Sequence, residues 1–231
     1  MIGKIFVTGS GCDPVEGMHV KDPYLGKIPS LGACRPDIRK QVQKGDHIFV
    51  VSGKVRGIAQ VVLGGFEVEE KISAIEAYER FPEQRLRLLP DGQVTGNVIV
   101  NSINEQHELD HHRIDTFNRR TENYLVGTNP IALLTPEELI VGRNWTLEIL
   151  RDVFDLKGTS IREIMGRHRN LTEKQVLKLR AYLNDVKTIV RSRTQFEMNR
   201  TTIGTTSVTG KEKNDGREKN QRDDASSRRQ A

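Results

Sequence analysis

Two cysteines, Cys12 and Cys34, are all that the chain carries in 231 residues. They form no Cys-x-x-Cys pair, so a disulfide framework is excluded and a reducing, cytoplasmic setting is expected. No apolar run approaches the ~20 residues that a membrane helix needs, so no membrane partner is expected. The opening Met1–Val7 stretch is too short and too strand-like for a signal peptide. No G-x-G-x-x-G, P-loop, kinase or G-x-S-x-G signature occurs, and no cofactor is expected. Aromatic residues make up only 5%. That leaves Tyr24, Phe49, Phe66, Tyr124 and Trp145 as candidate base-stacking surfaces.

What the chain does have is charge, unevenly placed. It holds 36 Lys+Arg against 31 Asp+Glu, a net of +5. Residues 1–142 carry 16 basic and 19 acidic residues, residues 143–200 carry 13 and 7, and residues 201–231 carry 7 and 5. An acidic-to-neutral body followed by a basic extension points to a polyanionic partner, against the plainer reading of solvated helix faces.

Hydrophobic pattern orders the body. Lys4–Thr8 reads as a strand, and 9–33 as a long Gly- and Pro-rich loop. A short helix is expected over 37–44, after Pro36. His47–Val51 between Gly45-Asp46 and Ser52-Gly53, followed by Val55–Leu63, reads as an antiparallel hairpin with Gly57 at a bulge and Gly64-Gly65 as a break. Ser73 caps a helix that ends before Phe81-Pro82. Further strands are expected at Asn97–Asn101, Tyr124–Gly127 and Ile131–Leu134. Thr135-Pro136 opens a helix, and helical spacing dominates from Leu147 to Val190. Residues 196–231 lose the pattern and read as a disordered tail.

The stretch Leu31-Gly32-Ala33-Cys34-Arg35-Pro36-Asp37-Ile38-Arg39-Lys40, followed by Gly45-Asp46-His47-Ile48, resembles the hallmark of the second family of nucleotide modification associated domains. The Asp22-Pro23-Tyr24 loop sits where that family has a comparable loop. Gly45-Asp46 with Gly57-Ile58-Ala59-Gln60-Val61-Val62 is similar to the hairpin of the PUA-like superfamily, in particular its EVE and ASCH branches. The likeness covers about residues 4–134. It departs at His47, where an aromatic Trp is usual. It implies a PUA-like mixed β-barrel of the α+β class and association with DNA or nucleotide modification.

Four groups of residues are candidates for chemistry. Cys34 beside Arg35 could be a thiolate nucleophile next to a phosphate-binding guanidinium, or a small buried hydrophobe beside a surface residue. Arg35, Arg39 and Lys40, with Lys44, would lie on or near one short helix and could meet a polyanion. His107, Asp110, His111, His112 and Asp115 cluster. The string His107-Glu108-Leu109-Asp110-His111 matches H-E-x-x-H literally, which would make His107 and His111 metal ligands if it were helical, although its flanks are polar. The competing reading is a polar loop lining a ligand pocket, with His112 and Arg113 as nucleotide contacts. Tyr24 is the best stacking candidate, and Ser52 joins the candidate ligand-binding set.

The expected organisation is a PUA-like domain over 1–142, a basic helical extension over 143–195 and a disordered tail over 196–231. The expected function is recognition of nucleic acid or a modified nucleotide, with the helices and tail adding phosphate contacts. The alternatives are an enzyme acting on a base or nucleotide through Cys34, Arg35, His107 and His112, or a zinc-dependent hydrolase. Protein partners are not indicated.

Overall fold

In a computed structural model, which describes residues 2–9, 12–16 and 20–205, the β-branched and aromatic opening run forms a central strand, β1 (Gly3–Val7). The chain then makes β2 (Ser30–Leu31), α1 (Pro36–Gln41), β3 (His47–Val51) and β4 (Val62–Ile72). Next come α2 (Ala74–Arg80), β5 (Arg87–Leu88), β6 (Val94–Thr95), α3 (Phe117–Thr121) and β7 (Tyr124–Ala132). The last elements are α4 (Pro136–Phe154), α5 (Ile161–Met165), β8 (His168–Leu171) and α6 (Glu173–Thr205).

Six strands form one curled sheet in the order β2-β7-β4-β3-β1-β8. β1 and β3 run parallel, from Gly3 opposite His47 to Val7 opposite Val51. The other pairs are antiparallel. The edges β2 and β8 do not meet, so the sheet is a half-barrel and not a closed one. β5 and β6 form a separate ribbon.

Helices cover both faces. Alternation along β1 sends Lys4 and Phe6 to one side and Gly3 and Ile5 to the other. On the first side lies α1: Lys4 Nζ donates to Gln41 Oε1 at 2.7 Å, and the Arg35 guanidinium sits 5.5 Å from the Phe6 ring centre. On the second lies α6, so close that a Cβ on Gly3 would come within 2.6 Å of Val176 Cγ2. Val176, Leu179, Leu183 and Val186 of α6 join Ile5, Ile48, Phe49, Val50 and Phe66 in the main core. α4 opens with a capping box, in which Thr135 Oγ1 accepts from Glu138 N at 3.2 Å and the Glu138 carboxylate accepts from Thr135 N at 3.4 Å. The same carboxylate takes Lys187 Nζ of α6 at 2.9 Å. Thr146 Oγ1 accepts from Val62 N at 3.0 Å, and Tyr182 OH donates to Gly142 O at 2.5 Å, tying α4 to both β4 and α6.

Several sequence expectations change. The helices expected as an extension after 142 belong to the core. α4 crosses that boundary, β8 adds a strand to β1, and Met1–Ser192 is one compact unit with Arg193–Ala231 as a second. The strand expected over 55–63 is largely loop: Val55 bridges Ile58 around Gly57, whose φ of 76° suits a tight turn. Gly64 and Gly65 lie inside β4 and do not break it. Asn97–Asn101 makes only isolated bridges, from Val98 to Arg85 and from Val100 to Gln106. Tyr124–Ala132 is a single strand. The tail expected to be disordered lies, from 206 onward, outside the described residues. Among the described residues no helix is long and apolar enough to cross a membrane.

Candidate functional site

The stretch 31–40 is held from below by a buried polar network. Asp22, in a loop with a cis Asp22–Pro23 bond, accepts hydrogen bonds from three successive amides: Gly32 N at 2.8 Å, Ala33 N at 2.9 Å, and Cys34 N. Its Oδ1 also takes Asn97 Nδ2 at 3.0 Å. Asn97 Nδ2 reaches Ser30 Oγ at 2.9 Å, and its carbonyl accepts from Tyr124 OH at 2.7 Å. Arg39, with 0% of its surface exposed, donates to the backbone carbonyls of Cys34, Arg120, Glu122 and Asn123. Arg120 Nε donates to Ala33 O at 3.1 Å. Ala33 packs with Leu86 and Ile99, flanked by Leu109 and Phe117, so the 97–117 segment lies against the same loop.

Burial sets the electrostatics here. It pushes the Cys34 thiol up to about 12, and the Asp22 carboxylate adds to the rise. Burial also lowers Arg39 to about 10, still cationic at neutral pH. The Tyr124 phenol is raised, again by burial first. Burial also lowers the His168 imidazole, assisted by Arg35.

The network separates the candidate residues into classes. Arg39 is a structural clamp and no phosphate ligand, because its donors are used on carbonyls in the interior. Arg35 and Lys40 therefore do not share a basic face with it: Arg35, in the left-handed region at φ 51°, pairs with Asp37 at 2.6 Å and covers Phe6, while Lys40 is exposed. Asp37 is held down at about 2 by that guanidinium. Cys34 is a poor nucleophile, since its thiolate is disfavoured by several pH units. Ser52 is 2% exposed and its Oγ accepts from Val61 N at 2.9 Å, so it shapes the turn after β3 and contacts no solvent-borne ligand.

The His-rich stretch is a series of turns. With no helix, His107 and His111 lose the one-face spacing that a zincin site needs, and His107 Nδ1 is engaged by Leu109 N at 3.1 Å. Gln106 Nε2 closes the loop onto Asp110 O and His112 O at 2.9 and 2.8 Å. His112 Nδ1 bonds the buried Asp110, leaving the rest of its ring outward, and Arg113 is exposed and paired with Asp115 at 2.7 Å. Of the five rings singled out as stacking surfaces, Phe49, Phe66 and Tyr124 are buried; Tyr24 is 38% and Trp145 46% exposed. His47 is buried in β3 beside Phe49 and cannot line an open cage.

The structure thus brings Tyr24, Cys34 and the 107–113 histidines onto neighbouring loops through Asp22, Asn97 and Ala33. Sequence reasoning missed Asn97, Arg120 and Tyr124 as members of one network, because their partners lie 67 to 87 positions away along the chain. A cavity of about 580 Å³ opens beside the network between Lys71–Glu76, Asn104 and Thr121–Asn123. A second, of about 400 Å³, opens between Leu25–Lys27, Pro130–Leu134 and α6. Compared with known proteins, the chain matches no family model, no curated protein and no solved structure.

Proposed function

We propose that this protein is a recognition module for nucleic acid or a modified nucleotide, presenting the 22–35 loop and the adjoining 97–123 segment to its ligand. The observation that carries the reading is the convergence of Asp22, Arg39 and Arg120, three buried charges, beneath a surface loop that displays Tyr24 and Arg35. Burying charge carries a desolvation penalty of several kcal/mol per ion, and well-packed apolar residues often stabilise as much. The gain is then geometric: the loop is held in one shape before a ligand arrives, which spares ordering entropy on binding. Tyr24 offers a stacking face, and His111, His112 and Arg113 offer exposed polar contacts nearby. The resemblance of 31–40 and 45–48 to the nucleotide modification associated family, and of the hairpin to PUA-like domains, agrees with this and suggests a DNA modification or defence setting. The raised Cys34 thiol favours binding over covalent catalysis.

The test is a set of variants titrated against a fluorescent oligonucleotide carrying modified bases. Tyr24→Ala is expected to weaken binding about tenfold, the loss of one stacked base. Cys34→Ala is expected to leave affinity within about twofold of the parent, well under the tenfold that 1.4 kcal/mol represents. If Cys34→Ala instead abolishes a turnover that the parent performs, the enzyme reading replaces this one.

A further inference from the structure

The cavity beside α6 has the make-up of a nucleotide site. Its floor is apolar, from Leu25, Pro130, Ile131 and Ala132, with Leu134 at the edge. Its rim carries Lys27, Arg180 and Lys187, and Asn184 stands between the last two on α6. The cations are unequally engaged. Lys187 is neutralised by Glu138 at 2.9 Å and donates to Ala132 O at 2.8 Å. Arg180 donates one N–H to Asn129 O at 3.1 Å, and among the described residues neither Arg180 nor Lys27 is in an ion pair. Two positive charges therefore face the cavity without a carboxylate.

Helical spacing extends this site. Arg180, Asn184, Lys187 and Arg191 fall at i, i+4, i+7 and i+11, one stripe of α6, while Val176, Leu179, Leu183 and Val186 face the core. The stripe leaves the cavity along the helix, as a strand of phosphates would. On the other side, Leu25–Lys27 belongs to the loop that holds Tyr24, whose ring lies so close over Gly26 that a Cβ there would strike it. One loop thus joins the Asp22 network, the exposed tyrosine and the cationic cavity.

We infer that this cavity is a subsite for one nucleotide of a single-stranded nucleic acid. The base lies on the Pro130–Ala132 floor, Asn184 is within reach of its edge, the adjacent phosphate is held by Lys27 and Arg180, and the next phosphates follow Arg191. The inference rests on the nucleic-acid reading above and places a second contact outside the 97–123 segment. About 400 Å³ is within the range of small-ligand sites, and an apolar floor under unpaired cations suits a flat base with a phosphate better than a carboxylate alone.

The experiment titrates a fluorescent 12-nucleotide single-stranded DNA against the full chain at several salt concentrations. Lys27→Gln with Arg180→Gln removes the two free charges. Asn184→Trp fills the cavity without removing a charge. The charge pair is expected to weaken binding at least about tenfold and to lower the slope of log affinity against log salt by about 1.5, near 0.7 per single-strand phosphate lost. Asn184→Trp is expected to weaken binding with the slope unchanged. Circular dichroism confirms that each variant is folded. Parent-like affinity and slope in all variants would overturn the subsite while leaving the wider reading intact. A parent that binds no oligonucleotide but binds a fluorescent poly-glutamate peptide would overturn both, and would assign the cavity to an acidic protein segment.

Discussion

Arg39 and Cys34 show how far burial alone decides what a side chain can do. Arg39 satisfies four carbonyls that no other group reaches, so Arg39→Ala leaves buried acceptors unpaired beside Asp22. That substitution is expected to destabilise the fold by about 3 kcal/mol in urea unfolding. Lys40→Ala, on the same helix but exposed, is expected to cost less than about 0.5 kcal/mol; equal losses would contradict the clamp role. Cys34 carries a pH prediction. Its folded value is about 12 and its ordinary value 9.0. Between those values the unfolded thiol gives up its proton while the folded one keeps it, so stability falls as pH rises from about 9 toward 12. Cys34→Ala is expected to flatten that alkaline decline in stability, measured by thermal melts across the range. Asp37 works in the opposite sense: held at about 2, it favours the fold above its ordinary value of 3.8, and this contribution is lost as pH falls toward 2.

At the scale of elements, β3 and β4 show what local pattern does and does not reveal. β3 is readable from sequence because five buried apolar or aromatic positions lie between two turn signals. β4 is misplaced by the same rules, because Gly64-Gly65 looks like a break. The glycines are there for space: a Cβ on Gly65 would enter the Phe49 ring and one on Gly64 would meet the Ile131 carbonyl. Such requirements come from neighbouring strands and leave no local periodicity. Gly127 on β7 is the same case, pressed under the Phe66 ring. Gly127→Ala is therefore expected to cost about 1–3 kcal/mol, as overpacking does, and to lower the melting midpoint. An unchanged midpoint would show that the β4–β7 seam is looser than described. The caps at Ser73 and Thr135 are readable because their partners lie three residues away.

For the whole molecule, the helices after 142 were readable as helices but not as core. Their charge profile suggested an appendage, while their apolar stripe, Val176 to Val186, is the face that closes the sheet. A fragment of residues 1–142 would expose one edge of β1 and the surface under α6. It is expected to show no cooperative unfolding transition, whereas a fragment of residues 1–192 keeps one; a cooperative 1–142 fragment would contradict the single-unit architecture. The candidate site was partly legible. Tyr24 and the 107–113 segment could be flagged by residue type, but the Asp22 network and the α6 cavity needed the fold to assemble them. The most direct test of the central claim is a fluorescence-anisotropy titration of the full chain against matched plain and base-modified DNA and RNA oligonucleotides at low and moderate salt. Binding that falls with salt and prefers one modified oligonucleotide is the predicted result. No binding to any oligonucleotide at low salt would contradict it.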